Sequence, residues 1–476
     1  MNTRRGFLKD MTLAAGATAL AGCRTGVLSG GTAGAPMRNF SCAPLVRVRV
    51  GVVGCGGRGF GAVTRLMKVP GVDIVAVCDV RAECLDRAVK AVREGSGRNP
   101  LAFGGSPEAW KRLCDSSAVD VVYNCTPWHL HAPIAVYAMR AGKHALVEVP
   151  SAMFVDECWE LVETVEATKR HCMQLENCCY GEDELLALNL CKLGMLGELI
   201  HGEGGYIHDR RWKIFHSSQW ENWRSRWNES HSGNQYSTHG LGPIALDMGI
   251  NRGDRFDFLV SVDSRQAGYE AFAAATLPGG DPGRAQRFAM ADMNVTTIRT
   301  ALGRTIMLQH DVTSPRPYSR LNLIAGTKGV FRGYPRLDIF LEREWPTGGG
   351  AHHEFDAAET ERIRTEYRHR LHREVGEVAR KVGGHGGMDY LMDLRWAYCL
   401  QKGLPLDMDV YDLASWCAIN ELSERSARNR AVALDIPDFT RGDWKMRAEC
   451  NLMNAAIDVD SLDFRFVDRA EGQLSV

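Results

Sequence analysis

The sequence predicts an α/β protein, with a doubly wound parallel sheet in its N-terminal part and an α+β domain with an open sheet behind it. Three observations carry this expectation. A valine-rich run over residues 45–53 leads directly into Gly54-Cys55-Gly56-Gly57-Arg58-Gly59, which has the spacing GxGxxG. Strand-like and helix-like stretches then alternate to about residue 177. The length, 476 residues, is about three times that of an ordinary domain, so a second core has to follow the first.

Taken in order, residues 45–53 are apolar at nearly every position, as a strand buried on both faces requires. The glycines after it permit a tight turn and close approach of the backbone to a pyrophosphate at a helix N-terminus. Gly54, Gly56, Gly57, Arg58 and Gly59 are therefore expected to contact a cofactor. A helix-compatible stretch follows to about Met67, and a second buried strand over residues 72–78 ends in Asp79, twenty residues after Gly59. An acid there accepts from ribose hydroxyls and repels a 2′-phosphate, so this Rossmann unit is expected to hold NAD rather than NADP. Alternation continues with helix 82–94, strand 119–124, helix 133–141, strand 144–149, helix 156–169 and strand 172–177. Ligands of such sheets lie beyond the carboxyl ends of the strands. Trp128, His129 and His131, then Glu148 and Val149, then Asn177 and Tyr180 accordingly fall at the cofactor edge. The first domain is placed at residues 45–180 and a substrate domain at 181–476.

In the second domain, Gly194-Met195-Leu196-Gly197 reads as a turn into a strand over residues 199–206. Residues 346–385 read as a solvated insertion or a long helix. Apolar residues at helical spacing over 388–430 are expected to pack back on the first domain. Tyr236 and His239 stand three apart in a stretch bounded by glycines, where a hydroxyl and an imidazole reach one pocket if the segment opens a helix. The residues alone leave open a packed or capping histidine.

Lys plus Arg number 57 and Asp plus Glu 58, with 45% hydrophobic and 24% charged residues, the composition of an ordinary globular protein and not of a disordered chain or a nucleic-acid binder. Thr3-Arg4-Arg5-Gly6-Phe7-Leu8-Lys9 ahead of the apolar run 11–22 reads as a twin-arginine export signal, and the run is too short to span a membrane. Leu20-Ala21-Gly22-Cys23 resembles a lipobox, which makes Cys23 the expected lipidation site. Residues 24–44 then form a flexible tether to a periplasmic or membrane-anchored protein, with the lipid as its only hold on the membrane. Loss of residues 1–22 moves the formal net charge from −1 to −3. The 15 cysteines lack paired metal-ligand spacing, and no metal is expected.

Asn124-Cys125-Thr126-Pro127, His131 leading a helix and Gly142-Lys143-His144-Ala145-Leu146-Val147-Glu148 resemble the oxidoreductase family typified by glucose–fructose oxidoreductase and inositol dehydrogenase. That family usually continues Glu-Lys-Pro, whereas this chain has Glu148-Val149-Pro150 and lacks the lysine that assists alcohol oxidation. The second half narrows the resemblance. Gly205-Tyr206-Ile207-His208-Asp209, Trp223-Arg224, the run from Gly233 through Tyr236-Ser237-Thr238-His239 to Pro243, Asn251-Arg252-Gly253-Asp254, the run Ser314 to Arg320 and Gly384-His385-Gly386-Gly387-Met388-Asp389 together resemble family 109 glycoside hydrolases, which are NAD-dependent α-N-acetylgalactosaminidases. The resemblance covers about residues 47–444. It implies Tyr236 and His239 as an acid/base pair near C2 and C3 of the sugar, with Tyr318 beside them. Tyr180, Tyr206, Arg224 and Thr238 would contact the sugar, and His208 and His385 are further candidates. The implied chemistry is oxidation at C3 by a tightly held NAD, proton loss at C2, departure from C1, water addition and re-reduction, without net oxidation. A sugar dehydrogenase with net redox turnover is the alternative. The expected partner is a carbohydrate, with self-association into a homo-oligomer left open.

Overall fold

The valine-rich run forms β1 (Val48–Val53), buried at every position but Arg49, which explains a composition without polar alternation. In the computed structural model the described residues are 37–216, 222–342, 353–462 and 464. The export signal, the lipobox and Cys23 lie outside them. β1 pairs in parallel with β2 (Val72–Cys78) and with β4 (Val121–Asn124). β3 (Leu101–Phe103), β5 (His144–Val147) and β6 (Cys172–Gln174) complete a six-stranded sheet in the order β3-β2-β1-β4-β5-β6. The strand order reverses between β1 and β4, and the crevice beyond their carboxyl ends is where such a sheet holds a dinucleotide.

Most expected elements appear within a few residues of their sequence bounds: the helices are Gly57–Leu66, Ala82–Ser96, His131–Arg140 and Val155–Thr168. β3 and helix Ala109–Asp115 carry too few apolar positions to show a period, and the sequence reading passed over them. The strand expected over 172–177 stops at Gln174, because the Glu176 side chain accepts from Cys178 N and turns Asn177–Tyr180 into a 3₁₀ turn.

The second sheet has eight strands in the order β13-β12-β11-β7-β10-β9-β8-β14. They are β7 (Leu199–Ile207), β8 (Phe256–Asp263), β9 (Asn294–Thr300), β10 (Thr305–Asp311), β11 (Ser319–Gly326), β12 (Gly329–Arg332), β13 (Asp338–Leu341) and β14 (Leu434–Asp435). β7 and β10 run parallel and the other pairs antiparallel. Helix Thr238–Asp247 lies against β7 with backbone touching backbone: a Cβ on Gly240 would fall 2.2 Å from Gly205 N, and one on Gly204 would fall 2.4 Å from Gly240 O. These glycines bring the helix that bears His239 down onto the strand that bears Tyr206.

The apolar period over 388–430 forms two helices, Met388–Lys402 and Val410–Arg428, broken at Gly403 (φ 65°) and restarted by Asp409, whose carboxylate caps Tyr411 N and Asp412 N. The first packs onto the N-terminal sheet through buried Asp393, which accepts from Arg65 Nε at 2.6 Å and from the Tyr123 hydroxyl at 3.2 Å. Of the stretch 346–385, the described residues 353–385 form neither a solvated insertion nor one helix. Within them, Ala357–Glu366 and Arg370–Val382 bury Ile363, Leu371, Val375 and Ala379, while Arg364, Arg368 and Arg380 converge on Glu182; residues 343–352 lie outside the described residues. Residues 37–44, expected as tether, instead lie on the folded chain, against the C-terminal helices and the segment ahead of β6. Met37 N donates to the Tyr411 hydroxyl at 2.9 Å, and the Phe40 ring meets His171 at 4.6 Å.

Candidate active site

One cleft of about 1000 Å³ runs from the glycine turn after β1 to residues of β7, β11 and helix Trp223–Ser230. At its first end the turn has the shape a dinucleotide needs. Gly54 adopts φ 85°, and a Cβ on Gly59 would fall 1.7 Å from Gly54 O, so neither position takes a side chain. Asp79 at the end of β2 accepts from Cys55 N at 2.7 Å and from Arg81 N at 2.8 Å, which fixes its carboxylate beside the turn. Gly56, Gly57 and Arg58 line the same end. These residues fit NAD: a close backbone approach for the pyrophosphate and an ionisable acceptor for the ribose.

Arg58 closes this end from below. Its Nε donates to Glu148 at 2.6 Å and its Nη1 to Asp389 at 2.7 Å, while Asn177 Nδ2 donates to Asp389 at 2.6 Å. Burial works against ionised Asp389, but His385, Arg58 and Arg65 outweigh it and hold the carboxyl far below the usual range. Asp389 comes from a helix 331 positions after Arg58, beyond the reach of any local motif in the first domain. Trp128 lines the cleft with Nε1 on Val149 O at 3.3 Å. His131 has its two ring nitrogens 2.7 Å from the carbonyl oxygens of Pro150 and Thr126; burial lowers its pKa to about 4, and the neutral ring donates to one of these carbonyls. His129, expected at the cofactor, is exposed outside the cleft, because successive residues of the Trp128–Leu130 turn point to opposite sides.

At the other end, Tyr236 lies between Tyr206 (ring centroids 4.3 Å apart) and Trp128 (5.9 Å), with the His239 ring edge-on at 4.8 Å. The Arg224 guanidinium sits 5.1 Å from the Tyr236 ring centre and 4.8 Å from that of Trp128. Burial pushes the Tyr236 hydroxyl well up even with Arg224 opposing, so it remains a proton-bearing donor. Tyr318 is exposed on the wall of the cleft, near His208 (5.3 Å between rings), and its oxygen accepts from Arg320 at 3.3 Å. The structure thus brings Tyr206, Arg224, Tyr236, His239 and Tyr318 together, with His208 beside them, while His385 lies at the other end of the cleft against Asp389.

Glu176, which the sequence reading did not single out, completes the set. Its carboxylate, fully buried, has its two oxygens 2.8 and 3.0 Å from His239 Nδ1. Burial opposes its ionisation, but His239 and hydrogen bonding hold its pKa below the ordinary value. An ionised Glu176 keeps the proton on Nδ1 and leaves Nε2 as an acceptor. Glu176, Cys178 and His239 also bring three donor atoms within 4.8 Å of one another. Burial pushes the Cys178 thiol well up, and Glu176 is already bonded to His239 and Cys178 N, so the cluster is a hydrogen-bonded one.

Two expected sugar contacts are corrected. Tyr180 is fully buried beneath the site with its hydroxyl on Asp407 at 3.1 Å, since the 3₁₀ turn directs it into the core. Thr238 is fully buried in the first turn of its helix, beside the Glu176 carboxylate, and does not line the cleft.

The sequence profile of the glycosyl hydrolase 109 C-terminal domain matches residues 180–446, and that of the oxidoreductase family with NAD-binding Rossmann fold matches residues 48–175. A glycosyl hydrolase family 109 protein 2 of Phocaeicola vulgatus is 45% identical over 416 residues, covering 86% of this chain and 98% of that one. A protein of the same name from Shewanella sp. strain ANA-3 is 44% identical over 447 residues, covering 93% and 97%. Among solved structures, levoglucosan dehydrogenase in complex with NADH and levoglucosan superposes with a TM-score of 0.61 at 18% identity, over 82% of this chain and all of that one, a likeness of fold.

Proposed function

Because this chain belongs to glycosyl hydrolase family 109 and uses NAD, we propose that it hydrolyses terminal α-N-acetylgalactosamine, or a related sugar, by oxidation-assisted elimination. The observation that carries the reading is the Glu176–His239 pair set against Tyr236 in a cleft continuous with the dinucleotide cradle. Most glycosidases work with two carboxylates facing the scissile bond. Among the described residues, the acids on this cleft wall are Asp79 and Glu148, the first bonded to backbone N–H groups and the second to Arg58, so neither faces a partner acid across a sugar.

Bound NAD supplies a reversible hydride acceptor for C3. The chain's own residues then handle protons. With C3 at the ketone level the C2 proton is acidified, and His239 Nε2, oriented by Glu176, takes it. Tyr236 donates to the oxygen on which negative charge develops, and Arg224 stabilises that charge across the ring faces it covers. Tyr206, with its hydroxyl 3.0 Å from His208 Nδ1, and Tyr318 position the ring. The aromatic wall of Trp128, Trp223 and Tyr236 excludes water while the elimination proceeds. The twin-arginine signal and lipobox support a mature protein that starts at lipidated Cys23 and works outside the cytoplasm.

The experiment uses the NAD-loaded protein without residues 1–23 and a panel of para-nitrophenyl glycosides, following nitrophenol and NADH absorbance together in D2O. Nitrophenol release with deuterium at C2 and no accumulated NADH is expected. NADH accumulation without cleavage would make the protein a sugar dehydrogenase.

A further inference from the structure

The mechanism leaves several charged residues of the cleft wall unused, Arg210 among them. Arg210, just beyond β7, is half-buried on the wall and makes no side-chain hydrogen bond or ion pair with any described residue. Arg224 faces the same space with rings as its neighbours and no carboxylate. Both guanidiniums line the one cleft, and burial, followed by the charge of Arg224, lowers the pKa of Arg210. Lys213 lines the same end. His208 lies among all three, and burial followed by their charges lowers its pKa to about 4, so it adds no further charge at neutral pH.

Among the described residues, the nearby acids are already engaged: Asp311, beside the end of β7, accepts from Thr313 N and Ser314 N and faces Arg316. Asp209 is paired with Arg211 through two nitrogens, at 2.9 and 2.7 Å. Glu148 is held by Arg58, Glu176 by His239, and Glu184 by Arg320. Two like charges withdrawn from water without a counter-charge are costly, and proteins retain them where a ligand supplies the opposite charge. A neutral N-acetyl sugar needs at most one such donor, and Arg224 already serves it.

We propose that Arg210, with Arg224 behind it, forms a subsite for an anionic substituent on the glycoside, a sulfate ester or a carboxylate. The proposal rests on the glycosidase reading above and narrows its substrate class. A guanidinium fork matches both oxyanions in geometry, and a partly desolvated site strengthens the pair.

The test compares para-nitrophenyl N-acetyl-α-galactosaminide, its 6-sulfate and the corresponding uronic acid glycoside, on wild type, Arg210→Gln and Arg210→Lys at low and moderate salt. For the wild type, kcat/KM on one of the charged glycosides should exceed that on the neutral one by about tenfold or more. That ratio should fall toward one in Arg210→Gln, be partly kept in Arg210→Lys, and shrink as salt rises. Whichever charged glycoside carries the preference identifies the anion. No preference in the wild type, or an equal loss on all three substrates in Arg210→Gln, overturns the proposal. If none of the glycosides is cleaved, calorimetry on the NAD-loaded protein with N-acetylgalactosamine, its 6-sulfate and the uronic acid separates the two ideas. Charged-sugar binding that needs Arg210 keeps the subsite while the glycosidase reading falls, and binding indifferent to charge removes the subsite.

Discussion

Replacing Glu176 by Gln tests the part of the site that only the folded chain reveals. In the native protein both carboxylate oxygens face His239 Nδ1, and Oε1 also accepts from Cys178 N at 3.1 Å. An amide keeps the shape but turns one oxygen into a donor, so it opposes either the imidazole N–H or the backbone N–H. A hydrogen bond to a buried ionised carboxylate contributes ~1.5–3 kcal/mol. If that is lost from the step in which His239 takes the C2 proton, kcat falls about 10- to 160-fold. The assay is nitrophenol release alongside exchange of the C2 proton with D2O, with NAD affinity and thermal midpoint as controls. Exchange and release should fall together while NAD binding stays as it was. A variant that is folded, holds NAD and exchanges C2 hydrogen within about threefold of wild type would show that His239 is not oriented by Glu176, because the expected loss starts at about tenfold.

Tyr236→Phe removes the buried proton donor and should lower kcat about 10²–10⁴-fold, with NAD affinity intact, as steady-state kinetics with fluorescence titration of NADH will show. Asp79→Ala should weaken NAD by about tenfold or more, since a charge-assisted acceptor for the ribose is gone; retention of the cofactor through gel filtration reads this directly. Gly240→Ala places a methyl 2.2 Å from Gly205 N, and the helix must lift off β7. It should cost about 1–3 kcal/mol in chemical denaturation, whereas Gly61→Ala, with open space around its Cβ, should be neutral or slightly stabilising. Stability should also fall as the pH drops from about 6.5 to 4. Buried His131, His144 and His369 have folded pKa values lowered to about 4, so over that window the unfolded chain binds more protons than the native one. His131 alone accounts for a loss of ~2 kcal/mol between pH 7 and 5, and His131→Asn should flatten that slope in urea unfolding curves.

The N-terminal sheet was legible because a strand buried on both faces needs an unbroken apolar run and a dinucleotide turn needs glycines, so fold and cofactor share one local signal. Tyr236 and His239 were legible only through the family resemblance, because the residues alone left open a packed or capping histidine; that glycines at 204 and 240 let their helix lie backbone to backbone on a strand was visible only in the fold. The order of apolar periods was enough to bring the C-terminal helices back onto the N-terminal part, and the structure adds that helix Val410–Arg428 packs on β8 as well, so one apolar core runs through both sheets. Side-chain direction was not legible in this way. His129 follows Trp128 immediately, yet one faces solvent and the other the cleft; Tyr180 and Thr238 sit inside site motifs but point into the core. Glu176, Asp389 and Arg210 act through partners 63, 331 and, for the Arg210–Arg224 pair, 14 positions away, and only in the first two does a hydrogen bond join them. The sequence by itself determined the fold class, the cofactor and the family of chemistry, since each rests on short-range steric and periodic demands. The tertiary structure decided which carboxylate orients the histidine, which acid holds Arg58 and which cations stand without a counter-charge, because electrostatic partnership depends on distance in space and burial.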